Sequence, residues 1–329
     1  MSESAQAALG RFPLIGPLAP GMARRLEIAL PGAALQDRWP VTAIAGAQPG
    51  PAVFINAGVH GGEYPAIEAV IRLSKLLDPR ELAGTVVLMP VVNLPAFWQR
   101  SMFVCPVDGL NPNRTFPGDP DGSYTEQLVH AVTTEFIARA DYYIDLHGGD
   151  MVEDLAPFTI SRRGDGEVDR KARELAEVFG LPYHVLADSA PSGQSGMMSF
   201  LAAAERGVPG FIAEAGGVGQ LQPEAVDLLT AGVRRVLGHV GVLRADVEEV
   251  APPTVLSGWH WLYSRTAGMF YPSVAVDDEV REGQVIGTIG SLFGDTLEEI
   301  VAPATGRVLF LTTSPAVTAN GLLLSICVR

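Results

Sequence analysis

The residues best placed to do chemistry are His60 and Glu63, three apart in Asn56-Ala-Gly-Val-His-Gly-Gly-Glu63. An imidazole and a carboxylate at that spacing, across a glycine turn, can present one nitrogen and one oxygen to a single point. A catalytic Zn²⁺ takes two or three such protein ligands and leaves a position for water. The same residues also fit a plain glycine turn whose acid sits near a helix N-terminus, where negative charge is favoured. Two further stretches repeat the pattern of apolar run, chemical residue and glycine: Tyr142-Tyr-Ile-Asp-Leu-His-Gly-Gly149 presents His147, and Gly210-Phe-Ile-Ala-Glu-Ala-Gly-Gly217 presents Glu214. A glutamate ending a buried strand is costly unless it is ion-paired or functional; in the second case it can take a proton from water at a metal. Asn113-Arg114 sets an amide beside a planar guanidinium, a pairing suited to a substrate carboxylate; a surface turn is the alternative. Asp145, on the same strand face as His147, either orients an imidazole or simply ends the strand. Asp150 is a competing acidic ligand, and His184 reads as structural.

The elements that must position these residues are legible from periodicity. Ala52–Ala57 is a buried strand, Gly58 breaks it, and Gly61 and Gly62 offer positive φ for the turn. Ile67, Val70, Ile71 and Leu76 then give a helix over about 64–77, with Pro65 in its first turn and Asp78-Pro79 as its stop. Val86–Val92 completes a β-α-β unit. Further strands are expected over 25–30, 40–45, 183–186 and 210–214, and helices over 123–140, 165–180, 197–206 and 222–243. Ser192–Gly196 reads as a loop, as do residues 93–121, long enough to suggest a site. Residues 1–24 are expected to wrap the surface, and Arg234, Arg235 and His239 to form the solvent face of the last helix. His60, His147 and Glu214 then share the edge of a parallel sheet where ligands of α/β proteins gather. After Ala251-Pro-Pro253, short strands alternate with glycine turns, as in a small all-β module. The expected organisation is an α/β domain over 1–250 and a C-terminal β domain over 251–329.

The 329 residues carry a formal net charge of −14 and 47% hydrophobic residues, with mean hydropathy +0.22. That composition supports a large core and argues against nucleic acid or an anionic membrane surface as partner. No apolar run reaches the ~18 residues of a membrane span, and Met1-Ser-Glu-Ser-Ala-Gln does not open like a signal peptide. Cys105 and Cys327, far apart, are expected to be reduced, which points to the cytoplasm.

His60-x-x-Glu63, Asn113-Arg114 before Phe116-Pro-Gly118, His147 and Glu214, in that order, resemble the succinylglutamate desuccinylase/aspartoacylase family, relatives of the zinc carboxypeptidases. The resemblance covers nearly the whole chain. It implies a three-layer αβα domain with a mixed, mostly parallel sheet, followed by a barrel-sandwich hybrid similar to biotinyl/lipoyl domains. That module lacks a Met-Lys pair at a hairpin tip, so no lipoyl or biotinyl group is expected. The family implies one Zn²⁺ per chain on His60, Glu63 and His147, with Glu214 as general base, Asn113 and Arg114 on a substrate carboxylate, and Arg100 stabilising the oxyanion. The family's usual Asp-Leu-Asn-Arg reads Asn111-Pro-Asn-Arg here, so the partner orienting a ligand histidine is an uncharged amide. The implied activity is hydrolysis of a small anionic N-acyl amino acid. A peptide-trimming metallocarboxypeptidase and a non-catalytic binding protein are the alternatives; an ester in place of the amide, and a homo-oligomer, are both compatible with the sequence.

Overall fold

The structure, a computed structural model, describes residues 10–187, 196–244 and 250–328. The loop expected over 192–196 therefore lies outside the described residues, apart from Gly196. The strands are β1 (Met22–Ile28), β2 (Trp39–Ala45), β3 (Gln48–Ala57), β4 (Ala83–Met89), β5 (Tyr142–His147), β6 (Glu153–Leu155), β7 (Phe158–Arg162), β8 (Tyr183–Ala187), β9 (Gly210–Glu214) and β10 (Thr254–Leu256), followed by eight in the C-terminal part. The α-helices are α1 (Tyr64–Leu76), α2 (Leu94–Gln99), α3 (Tyr124–Glu135), α4 (Glu167–Phe179), α5 (Ser199–Glu205) and α6 (Pro223–His239).

One nine-stranded sheet runs β1-β2-β4-β3-β5-β9-β7-β8-β10. Its centre, β4-β3-β5-β9, is parallel; β1/β2, β2/β4 and β7/β9 are antiparallel. The central strands are almost wholly apolar because helices cover both of their faces. Residues alternate along β9. Gly210 makes room for Ala203 of α5, whose Cβ would lie 3.3 Å from an added Cβ. Phe211 points the opposite way and packs edge-on against Phe179 at the end of α4, with centroids 5.6 Å apart. Helix α6 packs on both α1 and α4, and α5 packs with α3, so the helices form two layers. The register pairs His147 with Glu214 and Asp145 with Ile212. Asp145, His147 and Glu214 therefore all project from the face that α5 covers.

The N-terminal segment is more than a surface wrap. Phe12 and Ile15 are buried in the main core, and Phe12 stacks near Phe136. The segment 93–121 contains helix α2, which the expectation of one long loop missed. Its signals were in the sequence: Asn93 accepts the Ala96 N–H at the N-cap and Pro95 occupies the first turn. Arg235 is not on a free solvent face either; its guanidinium donates to the Phe179 carbonyl at 2.9 Å, satisfying the end of α4.

The C-terminal part adds β11 (Gly258–Tyr263), β12 (Gly268–Pro272), β13 (Glu279–Val280), β14 (Val285–Gly290), β15 (Thr296–Val301), β16 (Gly306–Thr312), β17 (Ala316–Val317) and β18 (Leu322–Val328). These make two antiparallel sheets, β11-β18-β16-β13 and β15-β14-β12-β17. Strand β10 still belongs to the large sheet, beside β8. In exchange, β6 leaves the α/β part and pairs with β16, Glu153 opposite Thr312. This pairing carries the C-terminal sheet to the edge where His147 and Glu214 emerge. Among the described residues, no helix is long and apolar enough to cross a membrane.

Candidate active site

The turn after β3 is built differently from the expectation. The positive φ belongs to Gly58, at 65°, not to Gly61 or Gly62. Those two are needed for space. A Cβ on Gly61 would lie 2.3 Å from the Ala96 carbonyl carbon in α2, and one on Gly62 would lie 2.0 Å from Asp150 Oδ1. The turn is thus pressed between α2 and the segment after β5, which brings His60 and Glu63 to His147.

Glu63 occupies the N-cap of α1 but makes no capping hydrogen bond. Its carboxylate instead faces two imidazoles: Oε1 is 2.6 Å from His60 Nδ1 and Oε2 is 2.9 Å from His147 Nδ1. That geometry decides against a plain capped turn. Each imidazole is held from its far side. His60 Nε2 lies 3.0 Å from Asn111 Oδ1, and His147 Nε2 lies 3.0 Å from Asp145 Oδ2. The second is a charge contact, too oblique to be an aligned hydrogen bond. Asp145 is fully buried and receives the Asn56 amide at 2.6 Å and the Ser199 hydroxyl. Both Nδ1 atoms consequently turn toward Glu63.

His60, Glu63 and His147 each offer one donor atom, and the three atoms lie within 4.8 Å of one another. Glu63 Oε2 is buried with no aligned donor. Burial disfavours charge on both imidazoles, yet their carboxylate neighbours outweigh it and favour protonation, while the imidazoles hold Glu63 down to about 2 despite its burial. A position that draws protons onto two nitrogens around one carboxylate suits a divalent cation, and the N, N, O donor set is one that zinc accepts. Asp150 is not part of the set. It anchors the neighbouring loop by accepting the Phe103 and Met151 N–H groups, each at 2.7 Å.

A cavity of about 720 Å³ opens beside these donors, with His60 and Glu63 in its wall. Asn113, Arg114, Glu153 and Glu214 line it. Asn111 caps the 3₁₀ turn Pro112–Arg114 by accepting the Asn113 N–H at 2.9 Å. One side chain therefore aligns His60 and sets the turn that carries Asn113 and Arg114. Asn113 in turn accepts the Ser199 N–H at 3.0 Å, tying this loop to α5. Burial lowers the Arg114 pKa, while Glu214, Tyr263 and Glu153 raise it. None of these three is within ion-pair distance of Arg114, which leaves the guanidinium available to an anion. Burial, reinforced by Glu63 and Glu153, pushes Glu214 up to about 8 against the pull of His147 and His60. A divalent cation among the three donors would draw it back down.

Arg100 does not reach the site. It is exposed, ends α2 in the left-handed region with φ 54°, and is absent from the cavity wall. The oxyanion role expected of it has no support in this geometry. Tyr263 of β11 does line the cavity, whereas Tyr271 is 53% exposed elsewhere. Trp259 and Trp261, stacked with centroids 4.9 Å apart, extend the wall from the same strand. His184 is structural as expected: it is fully buried beside Ser161 Oγ at 2.8 Å and held near 4 by burial, with Arg173 adding to the shift. Glu153 was not singled out from sequence. Its only signal is an acid six residues after His147.

An α/β domain of this kind, followed by an antiparallel module, is the architecture of solved desuccinylase and aspartoacylase-like structures. The chain belongs to the succinylglutamate desuccinylase/aspartoacylase family, whose catalytic domain matches residues 49–240. It is 33% identical to N-alpha-acetyl-L-2,4-diaminobutyric acid deacetylase from Halomonas elongata over 256 residues, 76% of this chain and 73% of that one. Its fold resembles that of a succinylglutamate desuccinylase/aspartoacylase from Rhodobacter sphaeroides, with TM-score 0.82 and 27% identity over 93% of this chain and 96% of the other. The product-bound ectoine utilization protein EutE (DoeB) from Ruegeria pomeroyi has the same fold, with TM-score 0.85 and 24% identity over 95% and 98% of the two chains.

The Asn111 contact makes a specific prediction. Removing a partner of this type typically costs about 10–100-fold in metal affinity or activity. Asn111→Ala is accordingly expected to weaken Zn²⁺ binding by about that factor, measured by competition with a chromophoric chelator. Unchanged affinity would mean that His60 needs no alignment from this side.

Proposed function

We propose that this protein is a zinc-dependent amidohydrolase that removes the acyl group from a small N-acyl amino acid. The observation that carries the reading is the convergence of His60, Glu63 and His147 on one point, beside a cavity whose wall includes His60, Glu63, Glu214 and Arg114. His60, Glu63 and His147 are the residues that would hold Zn²⁺. When bound, the ion supplies Lewis acidity toward the acyl carbonyl and toward water, whose pKa it can lower to about 7.

The protein's own groups do the rest. Arg114 and Asn113 hold the substrate by its carboxylate and so fix the scissile amide against the donor set. Glu214 takes a proton from the attacking water as the new C–O bond forms, and returns it to the nitrogen as the C–N bond breaks. The products are a carboxylic acid and a free amine, with one water consumed. The cavity wall built by Trp259, Trp261 and Tyr263 favours a small substrate over a peptide chain. The deacetylase activity named for the Halomonas elongata relative supports the amide-hydrolysis reading.

The test is hydrolysis of a panel of N-acetyl and N-succinyl amino acids alongside C-terminally free peptides. The expected result is amine release from N-acyl amino acids, loss of activity on chelation and recovery with Zn²⁺. Peptide trimming without N-acyl amino acid hydrolysis would replace this reading with a carboxypeptidase, and silence on every amide would overturn both.

A further inference from the structure

Glu153 has no part in the chemistry just described, yet it lines the cavity. Its position is fixed from two sides. Its backbone pairs with Thr312 of β16, and one carboxylate oxygen, Oε2, accepts the Asp150 N–H at 3.0 Å. The other oxygen has no hydrogen bond within the described protein, and among the described residues no Lys, Arg or His lies within ion-pair distance of this carboxylate. Glu153 and Arg114 are close enough for each charge to act on the other, but they do not pair. Apart from the metal donors and Glu214, the cavity thus holds one guanidinium and one carboxyl group, each open to a ligand. Much of the remaining wall is apolar, including Leu155, Phe158, Trp259 and Phe310. Charges beside such a surface are weakly solvated, so an unpaired carboxylate there is costly and a cationic partner offsets that cost.

We infer that Glu153 is a specificity-determining residue that reads a second, unacylated amino group on the substrate, so that the preferred substrate class is the N-acyl diamino acid. Arg114 binds the carboxylate, Glu153 binds the free ammonium, and the acylated nitrogen lies toward the metal donors. The inference rests on the deacylase reading above and adds to it the charge pattern of the amine. It also assigns a function to the exchange of β6 into the C-terminal sheet, since that pairing places Glu153.

The experiment compares two substrates that differ at one group: Nα-acetyl-2,4-diaminobutyrate, with an ammonium, and Nα-acetylnorvaline, with a methyl in its place. The readout is the ratio of their kcat/KM values in the zinc-loaded wild type and in Glu153→Gln. The glutamine carbonyl can still accept the Asp150 N–H, so the local turn is retained. The wild type is expected to prefer the diamino substrate, and Glu153→Gln to reduce that preference about 10–100-fold, mainly through KM, as for loss of one hydrogen bond to a charged group. A purely structural role would lower both rates and leave the ratio where it was, which would overturn the inference while the deacylase reading stands. Glu153→Lys provides a second arm: it is expected to reverse the preference, toward an N-acetyl amino acid with an anionic side chain. Hydrolysis of neither substrate by the wild type, nor of any other N-acyl amino acid, would instead remove the reading on which the inference depends.

Discussion

Glu214→Gln is expected to bind Zn²⁺ as the wild type does and to lose turnover by about 10²–10⁴-fold, the range for removing a positioned general acid–base. Glu214 is the last residue of β9, register-paired with His147, and it emerges from the same face of the sheet as that imidazole. It is outside the three-donor set but shares its cavity. No basic residue among those described pairs with it, so the ion-pair explanation for a glutamate at this strand end does not apply. Glutamine preserves size and shape and removes only the ability to take up the proton. The check is kcat on the best substrate beside zinc content from the same preparation. Near-full activity would show that proton transfer is carried by another group, and loss of zinc would show that Glu214 belongs to the metal set.

The second large effect is expected at His60. Replacing it with Ala removes one of three protein donors and also frees Asn111 from its contact with the ring. Glu63 would then remain buried, facing His147 alone. His60→Ala should be purified without stoichiometric zinc and should lose hydrolysis. A ligand present at 1,000 times its Kd stabilises the folded state by ~4.1 kcal/mol, so zinc should raise the Tm of the wild-type apoprotein clearly and that of His60→Ala little. Paired melting curves with and without zinc, together with elemental analysis, decide this. An equal zinc-induced shift in the variant would place the metal elsewhere.

Much of the site was legible because it follows local rules. An apolar strand, a chemical residue and then glycine occurs at His60, His147 and Glu214, and a parallel sheet puts such strand ends on one edge. Asn113-Arg114 was legible as a pair whose chemistry suits a carboxylate. What the sequence did not disclose depends on distant parts of the chain. Gly61 and Gly62 answer to crowding by Ala96 and Asp150, not to their own φ. Arg100 is only fourteen residues from Arg114, but the left-handed end of α2 leaves it in solvent. Glu153 gains its place from a strand pairing with Thr312, far along the chain, and no local periodicity encodes that partnership. The burial of Phe12 and Ile15 likewise depends on packing against the main core.

The central claim is that His60, Glu63 and His147 together hold a zinc ion. The most direct measurement is an anomalous difference map from crystals of the purified protein, recorded on either side of the zinc absorption edge. The account predicts one strong peak per chain, bonded to Nδ1 of both imidazoles and to the Glu63 carboxylate, with Glu214 nearby but unbonded. A peak ligated by other residues, or none in protein that hydrolyses N-acyl amino acids at full rate, would contradict it.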